Sequence, residues 1–159
     1  MLNALVRRVL DAMQFIAGGL FTALFVLNIL RIATRYFFGI AWIWLPDLSR
    51  LIFIWTVFIG ASVLVGRNEH LLMDVLLERL GPAGRRRLGL LIQAGQAAFF
   101  LLLIVVGSQI ALVRMGIPFD TWEVATGWAY LAVPVCAAFM LVFSLNLIDQ
   151  TMHSKENSQ

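Results

Sequence analysis

Four long uncharged runs, covering residues 12–30, 51–66, 88–113 and 124–148, leave this chain few ways to fold. A helix that crosses the hydrocarbon core of a bilayer needs about 20 mostly apolar residues. Inside that core every backbone polar group must find its partner within the protein, which favours helices. The runs therefore predict an all-α integral membrane protein with four transmembrane helices, at about 12–34, 45–66, 88–113 and 124–148. These make a single membrane domain over residues 1–152, and a polar tail follows at 153–159. Only 13% of the 159 residues are charged and 61% are hydrophobic. A soluble domain carries about a quarter charged residues, so no stretch is left for one.

Local signals refine the helix ends. Arg7 and Arg8 ahead of the first run imitate a secretory signal, but the apolar stretch is too long for one and an uncleaved first helix is expected. Pro46 and Asp47 mark the start of the second helix, because proline fits a first turn and an acid complements the amino-terminal dipole. Pro134 falls inside the fourth run and predicts a kink near Val133. Between the second and third helices, Leu71, Leu72, Val75, Leu76 and Leu80 recur at helical spacing against Asn68, Asp74, Glu78 and Arg79. That pattern predicts a short amphipathic helix on the cytoplasmic surface, stopped by Gly81 and Pro82. Arg85, Arg86 and Arg87 then lie against anionic lipid.

Orientation follows from the basic residues, which are retained on the cytoplasmic side. With the amino terminus inside, that side holds Arg7, Arg8, Arg67, Arg79, Arg85, Arg86, Arg87 and Lys155, against Arg31, Arg35, Arg50 and Arg114 outside. Eight against four predicts both termini in the cytoplasm. The net charge of +3 is scattered between apolar runs. It forms no continuous basic face, so no nucleic-acid partner is expected.

The middles of the four helices contain no Asp, Glu, Lys, Arg or His. Ion and proton pathways place ionisable groups at membrane depth, so this chain alone offers no such pathway. His70 and His153 fall in a loop and the tail, where neither is placed to bind haem inside the membrane. No metal-ligand spacing, nucleophile elbow or phosphate loop is present, and neither a cofactor nor enzyme chemistry is expected. Cys136 sits in an apolar run and reads as a small buried hydrophobe. Gly18, Gly19, Gly60, Ala61, Gly95, Ala98 and Gly107 permit close helix approach.

Residues that face water or a partner cluster in two outer segments. The first, 36–50, carries Tyr36, Phe37, Phe38, Trp42 and Trp44, which suit the headgroup level. Asp47 and Arg50 are three residues apart there and share a helical face. They can pair, or Arg50 can snorkel to the headgroups. The second segment, 114–123, offers Asp120 and Glu123 to solvent or to a basic partner. Arg35, Trp44, Asp47, Arg50, Asp120 and Glu123 are the candidate structural or partner-contact residues.

The chain resembles the small, DctQ-type membrane subunit of tripartite ATP-independent periplasmic (TRAP) transporters. The resemblance runs from Asn28 through Arg35, Tyr36, Trp44, Asp47, Leu48 and Arg50 to Trp55, Gly60, Ala61 and Ser62. It continues through His70, Asp74 and Leu80, then Gly127, Tyr130 and Pro134. Asp47 departs from the pattern, since a glutamate is expected there in many relatives. The resemblance implies a bacterial inner-membrane system with three parts: a periplasmic substrate-binding protein, this small subunit, and a large DctM-type membrane subunit carrying the substrate and ion sites. Uptake of organic acids in such systems is driven by an ion gradient, usually sodium. Two other readings remain open: a structural anchor of another complex, such as a redox complex, and an independent channel or antiporter.

Overall fold

The computed structural model describes the backbone of residues 2–67 and 82–156, with side chains over 6–67, 89 and 91–145. The expected amphipathic helix, its Leu71 to Leu80 stripe and His70 lie outside the described residues. Within them the chain forms α1 (Leu2–Phe38), α2 (Leu45–Gly66), α3 (Pro82–Arg114), the short α4 (Gly127–Tyr130) and α5 (Ala132–Glu156). Among the described residues four segments are long and apolar enough to cross a membrane: Val6–Phe38, Leu45–Gly66, Leu91–Arg114 and Gly127–Leu145. The protein is an all-α, multi-pass membrane protein.

The long helices pack as an open row rather than a closed ring. α1 lies on α2, α2 on α5, and α5 on α3, with α4 tucked between α3 and α2. Thus α1 and α3 form the two edges. No residue of the most apolar window of α1 is buried within the chain.

α1 begins well before the apolar run at residue 12 because its first turns already have a packing face. Val6, Val9, Leu10 and Met13 fall at helical spacing and meet Val63 and Ile59 of α2 and Phe143 of α5. At 1.5 Å per residue, the 37 residues of α1 extend about 55 Å, well beyond the hydrocarbon core. Gly66 makes this junction possible. A Cβ there would run into the Leu10 side chain and sit 3.1 Å from Phe143. Beside the cluster, Arg67 pairs with Asp11 at 3.6 Å and donates a hydrogen bond to the Gln14 side chain.

α2 and α5 are also joined by Ser62, which is fully buried. Its hydroxyl lies 2.9 Å from the Phe58 carbonyl and 3.2 Å from the Cys136 carbonyl. One proton serves two acceptors, so the bond is shared between its own helix and the neighbouring one.

The fourth crossing is interrupted at Leu131, two residues before the kink position expected from the sequence. Pro134 has no N–H to give to the carbonyl four residues earlier, and its ring crowds that carbonyl. That residue is Tyr130, where α4 ends. Leu131 closes α4 onto the Gly127 carbonyl at 2.9 Å, and Pro134 then occupies the first turn of α5, where a missing N–H costs little. The same logic moves the start of α3 to Pro82, placing Arg85, Arg86 and Arg87 within its first turns.

Candidate functional site

The segments 36–50 and 114–123 singled out in the sequence meet at one end of the row, opposite the Leu10 cluster. Two turns build it. In the first, Gly39 takes a left-handed conformation (φ 66°) that closes α1, and the Ile40 N–H returns to the Thr34 carbonyl at 3.2 Å. The chain then passes Trp42 and Trp44, whose rings stack with centroids 5.8 Å apart, and enters α2 through Leu45 and Pro46. An open hollow of about 430 Å³ is lined by Ala41, Trp42, Ile43 and Trp44.

The second turn links α3 to α4. Its two sides pair in antiparallel fashion at Pro118 and Ala125. The Phe119 N–H donates to Val124 at 3.0 Å, and the Thr126 N–H to Ile117 at 2.8 Å. The Thr126 hydroxyl approaches the carbonyls of Ile117 (2.9 Å) and Arg114 (3.2 Å), and the Arg114 carbonyl at the end of α3 also accepts the Ile117 N–H at 3.2 Å. Val124 and Ala125 are engaged in this pairing, which is why the helix starts at Gly127 rather than at 124. Phe119 is buried beneath the turn, and the Arg114 guanidinium lies 5.5 Å over the Tyr130 ring.

Two long-range contacts fasten these turns to α2. Asp47 accepts hydrogen bonds from Thr121, at 3.1 Å from its N–H and 2.5 Å from its hydroxyl. About two turns further along α2, the Trp55 indole N–H donates to the Trp128 carbonyl at 3.1 Å. Asp47 therefore turns to Thr121 and not to Arg50; among the described residues the ion pair present is Arg67 with Asp11.

The six candidate residues thus divide. Asp47 is half-buried and structural, while Trp44 stacks on Trp42 and remains 42% exposed. Arg35 is exposed in the last turn of α1, where a cation suits the carboxyl-terminal dipole. Arg50, Asp120 and Glu123 are exposed around the two turns. The Arg85, Arg86 and Arg87 side chains lie outside the described residues.

Thr121, Trp55 and Trp128 were not singled out in the sequence as contact residues. An indole within reach of an unpaired carbonyl leaves no local signal when 73 residues separate the partners. Among the described residues no group of three His, Cys, Asp or Glu side chains is placed to hold a metal. The arrangement offers exposed charge and aromatic surface around a well-tied frame, the chemistry of contact rather than of reaction.

The sequence model of the DctQ component of tripartite ATP-independent periplasmic transporters matches residues 22–151. The chain belongs to this family. The matched stretch contains both turns, the Asp47–Thr121 tie and the Ser62 junction. Relatives of this DctQ family chain include the sialic acid TRAP transporter small permease protein SiaQ of Vibrio cholerae, 24% identical over 139 residues, covering 87% of this chain and 80% of SiaQ. The sialic acid TRAP transporter permease protein SiaT of Haemophilus influenzae is 27% identical over 129 residues, 80% of this chain. The aligned part is only 21% of SiaT. The C4-dicarboxylate TRAP transporter small permease protein DctQ of Vibrio cholerae is 30% identical over 95 residues, 60% of this chain and 40% of that protein. A DctQ family chain is a transporter component, and its apolar, contact-making architecture fits that role.

Proposed function

We propose that this chain is the small scaffold subunit of a tripartite secondary transporter in a bacterial inner membrane, with both termini cytoplasmic. The observation that carries the reading is the family match over residues 22–151, joined to helix middles without ionisable groups. A subunit that contributes packing surface needs no charged group at membrane depth, whereas a carrier of ions does. The substrate and ion sites then belong to a large membrane subunit, and a periplasmic binding protein delivers the solute.

Two of the relatives are named for sialic acid and one for C4-dicarboxylates. These solutes share a carboxylate, so the proposed cargo is an organic acid, taken up with a cation gradient of Na+. Arg35, Trp44, Arg50, Asp120 and Glu123 lie at the end assigned to the periplasm, where they contact the large subunit, the binding protein or lipid headgroups. Arg85, Arg86 and Arg87 sit at the opposite, lipid-contacting surface.

The test is purification of the tagged chain from its native cells in mild detergent, followed by reconstitution. Recovery of a large polytopic protein in fixed ratio, and uptake in liposomes that requires both membrane proteins, the binding protein and a cation gradient, is expected. Full-rate uptake by the large subunit without this chain would overturn the scaffold role. Recovery with redox proteins instead would point to an anchoring subunit.

A further inference from the structure

We draw no further inference here: the strongest candidate, the open groove along α1 lined by Asp11, Gln14, Phe15, Gly18, Gly19 and Thr22, is an unpartnered helix face with small residues at its centre, and nothing in the structure shows what covers it.

Discussion

Asp47 and Thr121, 74 residues apart in sequence, are joined by two hydrogen bonds to a single carboxylate oxygen. The carboxylate sits in the first turn of α2, whose N-cap residue Trp44 makes no side-chain capping bond. Asp47 thus favours the amino-terminal dipole of its own helix through its charge, while its hydrogen-bonding capacity is spent on the loop between α3 and α4. One side chain orders two segments that neither turn could align by itself.

That tie predicts a coupled pair. Hydrogen bonds to a charged group contribute about 1.5–3 kcal/mol when sheltered, and Thr121 is exposed, so solvent reduces this to about 1 kcal/mol. Asp47→Ala and Thr121→Val each lower stability in detergent, and the double variant loses less than the sum. Denaturant titration of the four proteins gives the coupling energy. Strictly additive losses would show that the two residues act independently.

Gly127 and Gly95 make opposite predictions for the same change. A Cβ on Gly127 would lie 2.8 Å from the Ala111 carbonyl oxygen and from the Met115 nitrogen, and neither backbone atom can swing aside as a side chain can. Gly127→Ala should destabilise by about 1–3 kcal/mol, in the range of overpacking. Nothing lies within 4 Å of a Cβ on Gly95. There the better helix propensity of alanine prevails, and Gly95→Ala should be neutral or stabilising by up to about 1 kcal/mol. Thermal unfolding followed by tryptophan fluorescence distinguishes them, and equal midpoints would contradict the close approach of α4 to α3.

How much of this was legible in the sequence depends on the range over which each interaction acts. The crossings are written in uncharged runs, because the cost of a charge in hydrocarbon is local to its residue. Pro134 announced a disturbance but not its position: the lost bond belongs to Tyr130, so the break falls upstream at Leu131. The start of α1 at Leu2 was hidden by Arg7 and Arg8, which face away while Val6, Val9 and Leu10 pack. Asp47 was recognisable as a helix-start acid, and its neighbour Arg50 suggested a partner at helical spacing. The actual partner, Thr121, follows from the order in which α2, α5 and α3 pack, and no local pattern records that order.

At the other end of the row, packing should outweigh charge. Arg67 and Asp11 form an ion pair whose side chains are 39% and 75% exposed. Exposed pairs contribute about 0–1 kcal/mol, so Asp11→Asn should shift stability by less than about 1 kcal/mol. Leu10, 7% exposed, fills the space left by Gly66 against Val63 and Phe143. Leu10→Ala leaves a cavity at a three-helix junction, and a loss of about 2–5 kcal/mol is expected from comparable deletions. A larger loss from Asp11→Asn than from Leu10→Ala in the same detergent would reverse the assignment of what holds α1 in place.

The scaffold proposal also ranks variants by their effect on assembly. Asp47→Ala releases the loop carrying Asp120 and Glu123 and with it the shape of the outer surface. Arg50→Ala removes an exposed cation one turn further along α2. Cys136→Ser changes a side chain that is 1% exposed, and the new hydroxyl has backbone carbonyls of its own helix to bond. Recovery of the large membrane subunit with the tagged chain, and the initial uptake rate in cells, should therefore fall for Asp47→Ala and Arg50→Ala and stay near the wild-type value for Cys136→Ser. About 1 kcal/mol of lost contact energy corresponds to roughly a fivefold weaker association, which titrating the large subunit against the tagged chain can resolve. Equal recovery and equal uptake in all three variants would remove the outer end from the assembly surface and shift the contact to the uncovered edges formed by α1 and α3.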